Sequence, residues 1–179
     1  MSRDLTKEIT IRRCAAGDEH VLSLVAQAAF LEAFAGEISG QDLIAHCQRQ
    51  HSAEKYAAWL QDGHTAIWIA EVAPGRAPVG YLVLTTPDLP LPDIGPHDVE
   101  VKRVYLLHRF QGNGVGALLM HEARDHAAAH GCRRLLLGVY GKNEAAIGFY
   151  ERLGYRRVGT RPFKVGENVY QDLILALAP

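Results

Sequence analysis

The chain has 179 residues, 48% of them hydrophobic, and a formal net charge of −1, values that are typical of one globular domain and exclude wholesale disorder. The near-neutral charge argues against a nucleic-acid-binding protein, which is usually basic, and no apolar run approaches the roughly 18 residues of a membrane helix. Three distant cysteines and the absence of a signal-peptide core near Met1 favour a cytoplasmic protein without a disulfide framework.

The first half of the sequence predicts a strand, three helices and a hairpin. Alternating apolar residues indicate the strands, helical spacing of apolar residues after Asp18 indicates the long first helix, and Gly36 stops it. A Pro-rich and Gly-rich turn separates the two arms of the hairpin, and a second Pro-rich stretch predicts a loop. The predicted strands are 9–12, 65–72 and 79–84, the helices 18–34, 42–49 and 52–60, and the loop 87–96.

The second half alternates strands with helices. Gly131 and Gly154 end the two helices, as glycines commonly do. The predicted strands are 98–107, 134–139, 155–159 and 169–177, and the helices 115–130 and 143–153. A hairpin followed by crossover connections predicts an α/β fold with a central mixed β-sheet flanked by helices, and one domain over residues 1–179.

Charge is distributed unevenly along the chain. Residues 14–64 hold seven acids and two bases, whereas residues 101–164 hold twelve bases and four acids. Random scatter over a solvated surface explains this pattern. The same pattern is equally explained if the second half of the chain binds an anion and the first half accommodates a cation.

A glycine-rich loop, Gly112-Asn113-Gly114-Val115-Gly116, lies between a predicted strand and a predicted helix. Glycines there let the backbone approach a ligand closely, and the first-turn N–H groups of the helix favour an anion. The loop therefore predicts a phosphate or pyrophosphate site. The alternative is a strand-to-helix turn without a ligand.

The same residues match the dinucleotide fingerprint, but the context is wrong for it. The loop follows the fourth strand instead of the first, and Tyr140-Gly141-Lys142 stands where an acid should bind the ribose. His126 and His130 lie at i, i+4 on an Ala-rich helix, where a solvated surface is the ordinary explanation, so no metal site is expected.

Two blocks of the sequence carry a resemblance to a known family. Gln111-x-x-Gly114-x-Gly116 resembles the acetyl-CoA pyrophosphate signature of the GCN5-related N-acetyltransferases (GNAT), and the block from Asn143 through Tyr150 to Tyr155 is similar to the second signature of that family. Within the family, the chain looks like the PaiA-type spermidine/spermine N-acetyltransferases. The resemblance implies a single GNAT-like domain and an acetyl-CoA-dependent N-acetyltransferase.

The resemblance also implies the residues that would bind the co-substrate. The main chain of Val104, Tyr105 and Leu106 would pair with the pantetheine arm and polarise the thioester. Asn143 would hydrogen-bond the pantetheine. The pyrophosphate would be bound by the segment Arg109, Gln111, Gly112, Asn113, Gly114, Val115, Gly116 and Ala117.

Two side chains are the candidates for proton transfer. Tyr150, which would also contact the co-substrate, has the spacing of the family's Tyr general acid, and a phenol of pKa ~10 can protonate the departing thiolate. Packing next to Phe149 is the alternative for Tyr150. Glu100 is the candidate base, through a water if not directly, with an exposed carboxylate paired to Lys102 or Arg103 as the alternative. A dedicated base is not required, since a polarised thioester can capture the small free-amine fraction.

The acceptor is expected to be a small-molecule primary amine. Phe30, Glu32 and Phe34 in the first helix combine aromatic and acidic side chains that could hold a polyamine such as spermidine by ion pairs and cation–π contacts. A helix surface with core-facing phenylalanines explains them equally well. The Pro-rich loop could line the same entrance.

Three other functions compete with this interpretation. They are a protein or peptide N-acetyltransferase, a non-catalytic acyl-CoA-binding module and a dinucleotide-binding oxidoreductase, of which the last fails on the context of its loop. The acidic first third favours a small polycation, and an open groove would favour a peptide. The sequence leaves a homodimer open.

Overall fold

The structure, a computed structural model, describes residues 5–165 and 168–179. Within these residues the chain forms five α-helices, seven β-strands and two short 3₁₀ turns, Leu5–Glu8 and His108–Phe110. The helices are α1 (Glu19–Phe34), α2 (Gly40–Gln50), α3 (Ala53–Gln61), α4 (Val115–Ala129) and α5 (Glu144–Arg152). The strands are β1 (Ile9–Arg13), β2 (Ala66–Val72), β3 (Ala77–Thr85), β4 (Asp98–Leu106), β5 (Arg134–Tyr140), β6 (Arg156–Val165) and β7 (Asn168–Leu177). None of the helices in this part of the chain is long and apolar enough to cross a membrane.

The strands form one mixed sheet in the order β1-β2-β3-β4-β5-β7-β6. β1 runs antiparallel to β2, and β4 runs parallel to β5, with Glu100 opposite Leu136. β7 lies between β5 and β6 and is antiparallel to both. The prediction of an α/β fold with a central mixed sheet is confirmed.

The chain separates into two compact units. The first comprises residues 5–83 and Arg103–Glu122, and the second comprises Leu84–Lys102 and Ala123–Pro179. Each unit has its own cluster of buried apolar side chains. The domain boundaries predicted at residues 1 and 179 stay a prediction.

The core of the first unit lies between helices and strands, of which β2 and β3 are buried along almost their whole length. α1, α3, β2 and β3 all contribute to it, because helical spacing of apolar residues in α1 and continuous apolar runs in β2 and β3 place these side chains inward. Its buried members are Cys14, Leu22, Val25, Ala26, Tyr56, Ile67, Ile69, Tyr81 and Val83. Ser39 and Ser52 cap α2 and α3 by accepting backbone N–H bonds, which fixes where these two helices begin.

In the second unit the Pro-rich loop covers part of the sheet. Leu89 packs on buried side chains of β5 and β7, including Leu136 and Ile174. The segment 87–96 has no helix or strand, as the sequence predicts. Its described contacts are with the sheet of this unit, which gives the loop a packing role and lends no support to the expectation that it lines the acceptor entrance.

A buried carboxylate ties the end of the loop to β5. Asp98 has a fully buried side chain and accepts hydrogen bonds from Arg133 and Arg134 at 2.7 Å each and from the Gly95 N–H. Burial raises the pKa of Asp98, but these hydrogen bonds outweigh burial and hold the pKa well below its usual range. Asp98 therefore has a structural role.

The predicted strand 155–159 is too short. β6 continues to Val165 and pairs with β7 up to Asn168, with Pro162 opposite Gln171. Proline argues against a strand because it lacks an N–H donor, but β6 lies at the edge of the sheet, where this donor is not needed. A register shift between Arg157 and Gly159 adds one more irregularity that local sequence does not reveal.

Candidate active site

The glycine loop is an exposed turn that a short 3₁₀ turn anchors to the first unit. Phe110 is buried and holds the 3₁₀ turn, and Leu107 donates its N–H to the Val79 carbonyl of β3 at 2.9 Å. Residues 111–114 are exposed. Gly112 and Gly114 have φ angles of +72° and +82°, a backbone region that side chains with a Cβ rarely adopt.

The start of α4 presents hydrogen-bond donors directly after this loop. Val115, Gly116 and Ala117 are in the first turn, where N–H groups have no intrahelical acceptor and the helix dipole favours negative charge. The exposed loop and these donors fit a pyrophosphate group. The loop and the start of α4 thus support the pyrophosphate site, which stays a prediction.

The polar side chains of the loop bind to the loop itself. Gln111 donates its Nε2–H to the Leu106 carbonyl at 3.1 Å, and Asn113 donates its Nδ2–H to the Gln111 carbonyl at 3.0 Å. Arg109 is exposed, with its guanidinium 5.8 Å from the centre of the Phe110 ring. Gln111 thus connects the loop to the end of β4, and Arg109 is the cation of this segment that is open to solvent.

The end of β4 has a glycine as its neighbour in β3. Val104, Tyr105 and Leu106 are partly exposed. A Cβ on Gly80 would lie 2.7 Å from the Tyr105 carbonyl oxygen and still closer to the Leu106 side chain. Gly80 therefore permits a close approach of β3 to the segment predicted to hold pantetheine. Gly80 is not among the predicted site residues, although a glycine inside a strand is a signal for a close backbone approach.

The predicted acceptor residues of α1 divide into two groups. Phe30 is buried and its ring centre lies 4.5 Å from that of the partly exposed Phe34. Glu32 is exposed and its Oε2 accepts the backbone N–H of His108. Glu32 thereby connects α1 to the 3₁₀ turn that precedes the glycine loop.

A partly buried polar network links the junction of α2 and α3 to β4, and no local sequence pattern predicts it. Arg103 donates its Nη1 protons to the Gln50 carbonyl at 2.6 Å and to the Tyr56 hydroxyl at 3.0 Å, and the same nitrogen lies 3.2 Å from His51 Nδ1. Burial, followed by the Arg103 charge, lowers the pKa of His51 to about 3. Tyr56 also contacts the Tyr81 hydroxyl at 3.1 Å. This network fixes β4 just before Val104.

In the second unit, Asn143 begins α5. Its Oδ1 accepts the Ala146 N–H at 3.1 Å, the ordinary geometry of a helix N-cap. Its Nδ2 protons have no hydrogen-bond partner among residues 5–165 and 168–179 and remain donors for a ligand. Gly141, two residues earlier, allows β5 to approach β7, since a Cβ there would lie 2.7 Å from the Gln171 carbonyl oxygen.

Tyr150 is buried on the inner side of α5. Its ring is 9% exposed and makes edge-to-face contacts with Phe149 at 5.1 Å and Tyr155 at 5.8 Å. These contacts fix the ring in place. A packing role is thus satisfied, and the catalytic role stays a prediction.

Glu100 is buried, unlike the exposed carboxylate that the alternative explanation assumes. Its side chain is 2% exposed, its Oε2 accepts the Asp88 N–H at 2.7 Å, and its Oε1 lies 3.5 Å from Lys102 Nζ. The pairing with Lys102 is present as that alternative expects. The Glu100 carboxylate is thus almost completely shielded from solvent in this arrangement.

An open groove of about 460 Å³ lies at the end of β5 in the second unit. Most of its lining residues are exposed, including the cations Lys142 and Arg157. Its lining consists of Tyr140, Gly141, Lys142, Arg157, Thr160, Val169, Tyr170, Gln171 and Leu173. In the described part of the chain no group of three His, Cys, Asp or Glu side chains is arranged to hold a metal ion, and the expected absence of a metal stays a prediction.

Comparison with known proteins decides the family. The sequence model of the Acetyltransferase (GNAT) family matches residues 32–155. The chain belongs to the GNAT family. An uncharacterized N-acetyltransferase of Mycobacterium tuberculosis (strain ATCC 25618 / H37Rv) is 32% identical over 158 residues, which cover 88% of this chain and 96% of that protein. Another, from Lactobacillus delbrueckii subsp. lactis, is 25% identical and covers 86% of this chain and 88% of its own length.

The fold comparison agrees with this GNAT membership. The crystal structure of the PaiA N-acetyltransferase of Thermoplasma acidophilum, in complex with coenzyme A, superposes with a TM-score of 0.77 over 96% of this chain and 99% of that one. Its sequence identity of 20% makes this a likeness of fold. The predicted family is confirmed, its PaiA resemblance is confirmed at the level of the fold, and the protein is an acetyl-CoA-dependent N-acetyltransferase. The roles of individual site residues stay predictions.

Proposed function

We propose that this GNAT protein transfers the acetyl group of acetyl-CoA to the primary amine of a small molecule, by direct attack of the amine on the thioester. The observation that carries the proposal is the exposed glycine loop, with two left-handed glycines, directly before the free N–H groups of α4 in a chain that belongs to the GNAT family. Direct attack requires that the thioester is held in place, that the nitrogen loses a proton and that the sulfur gains one.

Holding the co-substrate is assigned to the glycine loop, the end of β4 and Asn143. Gly112 to Ala117 would bind the pyrophosphate with backbone N–H groups, and Arg109, which is open to solvent, would add a positive charge. The main chain of Val104, Tyr105 and Leu106 would pair with the pantetheine arm. Gln111 supports both parts, because its side chain connects the loop to the Leu106 carbonyl. Asn143, in the second unit, would donate its Nδ2–H to the pantetheine.

Tyr150 is the proposed general acid. Its fixed ring orients the hydroxyl, and a phenol with a pKa of ~10 keeps its proton at neutral pH and can donate it to the sulfur as negative charge develops there. The proton leaves the Tyr150 oxygen and forms the S–H bond of CoA. The phenolate then recovers a proton from solvent.

Glu100 is the proposed base, acting through water. A carboxylate can accept the proton that the attacking nitrogen loses, and the Asp88 N–H and Lys102 hold this one in a fixed position. Because the same contacts explain Glu100 as a structural residue, Glu100→Gln must be judged by a pH profile and not by loss of rate alone. A base role removes the acidic limb of that profile, and a structural role leaves its shape unchanged.

The polyamine acceptor predicted from the acid-rich segment has limited support from the contacts of the acids. Asp18 binds Arg12, Asp42 hydrogen-bonds Ser39, and Asp62 binds Thr65. Spermidine therefore stays a prediction to be tested within an amine panel. The three cysteines are free thiols, which agrees with a reducing compartment and with the proposed cytoplasmic location.

A second candidate acceptor is a peptide or protein amine. The open groove at the end of β5 favours it, because an extended peptide needs an open surface and not an enclosed cavity. Its cations Lys142 and Arg157 would suit an acidic peptide. Acetylation of small amines in the absence of any peptide distinguishes the first candidate from the second.

Tyr150→Phe tests the proposed chemistry. The substitution removes one hydroxyl and keeps the ring contacts, so acetyl-CoA affinity by calorimetry should stay near wild type, while kcat should fall by roughly 10²–10⁴. Tyr155→Phe is the matched control. Its buried hydroxyl has no partner within the described residues and its ring lies 5.8 Å from that of Tyr150, so kcat should be unchanged.

Two outcomes contradict the role of Tyr150. An unchanged kcat in Tyr150→Phe leaves only the packing role, and a lost affinity for acetyl-CoA makes the residue a co-substrate ligand. Absence of CoA release with every small amine in a panel, in a wild-type protein that binds acetyl-CoA, contradicts small-amine acetylation itself.

A further inference from the structure

The first unit contains a cluster of rings that has no part in the roles proposed for the glycine loop and Tyr150. We define the ring cluster as Phe30, Phe34, His46 and Tyr105. The Phe30 ring centre lies 4.3 Å from His46 in a nearly parallel stack, 4.5 Å from Phe34 and 6.5 Å from Tyr105 in an edge contact. Phe30 is buried and the other three are partly exposed, so the cluster reaches solvent through Phe34, His46 and Tyr105.

His51 lies behind this ring cluster with one nitrogen unsatisfied. Its ring centre is 5.1 Å from that of Phe30 and 5.4 Å from that of His46, and the side chain is 2% exposed. Arg103 and Tyr56 occupy Nδ1, whereas Nε2 is buried and has no hydrogen-bond partner in residues 5–165 and 168–179. Buried polar atoms are normally paired. The unpaired Nε2 of His51, behind partly exposed rings, therefore indicates a position for a ligand atom or a water.

The electrostatics of the ring cluster disfavour an additional positive charge. Burial, then Arg103, then Arg49 lower the pKa of His46, and burial followed by Arg103 lowers that of His51 to about 3, so both imidazoles are neutral at pH 7. On α1, the nearest carboxylate in sequence, Glu32, already accepts the His108 N–H. Neutral rings with two arginines nearby suit an apolar or aromatic group better than a polycation.

The position of Tyr105 connects the ring cluster to the reaction. Its side chain packs against the rings of the cluster, while its main chain belongs to the segment of β4 that the proposed function assigns to pantetheine. A group that packs against the partly exposed rings is therefore separated from that segment of β4 by the Tyr105 side chain. An acceptor amine must reach this same place to attack the thioester.

We propose that the ring cluster is the acceptor subsite and that it selects a primary amine that carries an aromatic or apolar ring and no second positive charge. This inference rests on the proposed acetylation of small amines. It differs from the polyamine prediction in using Phe30 and Phe34 for ring packing instead of cation–π contacts.

The test compares 2-phenylethylamine, n-butylamine and spermidine as acceptors, with release of CoA as the readout. We expect kcat/KM for 2-phenylethylamine to exceed that for spermidine by about tenfold or more, since a well-packed ring contributes a large apolar area and a specific ring contact. Phe34→Leu keeps apolar volume and removes the ring. It should lower the ratio of kcat/KM for 2-phenylethylamine to that for n-butylamine by about tenfold.

Gln48→Ala is the matched control, because Gln48 is an exposed residue of α2 two positions from His46. It should leave both the ratio and the melting temperature unchanged. Calorimetry of 2-phenylethylamine binding to the protein with CoA provides a readout that does not depend on turnover. Selective binding that Phe34→Leu weakens, without turnover of any amine, supports the subsite and refutes the proposed function.

Three results overturn the subsite. They are a kcat/KM for spermidine equal to or above that for 2-phenylethylamine, a ratio that Phe34→Leu leaves unchanged in a folded protein, and neither binding nor turnover of 2-phenylethylamine. If the protein still acetylates spermidine or n-butylamine, the first two results refute the subsite but not the acetyltransferase function. Failure of the subsite can therefore be distinguished from failure of the proposed function.

Discussion

Gly80→Ala should impair acetyl transfer through the backbone of β4. The added Cβ would lie 2.7 Å from the Tyr105 carbonyl oxygen, whereas ordinary contacts begin at 3.4 Å, so the two strands must separate by about 0.7 Å at this point. The Leu106 side chain must also turn away. Misplacement of reacting groups by about 1 Å can cost on the order of 10²-fold in rate. We therefore expect kcat/KM for acetyl transfer to fall by about 10- to 100-fold.

The assay is CoA release at saturating amine, at a temperature well below the melting temperature of the variant, together with calorimetry of acetyl-CoA binding. Overpacking of this kind costs about 1–3 kcal/mol of stability, so the melting temperature must be measured first. Gly63→Ala is the control, because a Cβ at Gly63 meets nothing within 4 Å. A folded Gly80→Ala protein with wild-type turnover and affinity would refute the link between this close approach and the co-substrate segment.

Two further substitutions test the loop and the buried carboxylate. Gly114→Val should abolish measurable CoA binding in calorimetry, because φ of +82° is strained for valine and the side chain would occupy the exposed loop, and a near-wild-type affinity would contradict the pyrophosphate site. Asp98→Asn should lower the free energy of unfolding at pH 7 by about 3 kcal/mol, since it leaves Arg133 and Arg134 without their buried carboxylate. Because the pKa of Asp98 is depressed in the folded state, its stabilisation is present above about pH 4 and is lost as the pH falls through the folded pKa. Urea unfolding of wild type and variant from pH 7 to pH 3 measures both effects, and equal pH dependence in the two proteins would show that Asp98 does not carry this stabilisation.

The element order could be predicted because its signals are local. Gly131 and Gly154 end the turns after α4 and α5 with positive φ angles, and Ser39 and Ser52 cap the helices that follow them. The glycine loop is equally local, since its glycines and the first turn of α4 are consecutive in sequence. The length of β6 could not be predicted, because the tolerance of its proline depends on its position at the sheet edge.

The contacts of the candidate site could be predicted only in part, because they join distant segments. Arg103 meets His51 across 52 residues, and Glu32 meets His108 across 76 residues. Neither partner has a sequence pattern that names the other. Glu100 lies on the predicted strand, but its burial depends on the Pro-rich loop, from which Asp88 donates its N–H.

The uneven charge distribution has a structural explanation that weakens its use as a guide to the acceptor. Several acids of residues 14–64 lie at turns and helix starts, where carboxylates accept backbone N–H bonds: Glu19 accepts the Gly17 N–H, and Asp62 accepts the His64 N–H. Among the bases of the second half, Arg161 binds the buried Asp172.

The numbers of acids and bases in these segments therefore reflect contacts within the fold as much as contacts with a ligand. Arg109 is exposed in the segment leading to the glycine loop and is available to a phosphate, whereas Arg133 is bound to Asp98. The prediction of an anion site does not depend on the number of bases, because it rests on the backbone of the loop and the first turn of α4. The prediction of a polycation site loses part of its support, because Asp18 is paired with Arg12 and Glu32 accepts the His108 N–H. The proposed acceptor subsite therefore relies on rings and not on charge, and the amine panel tests it.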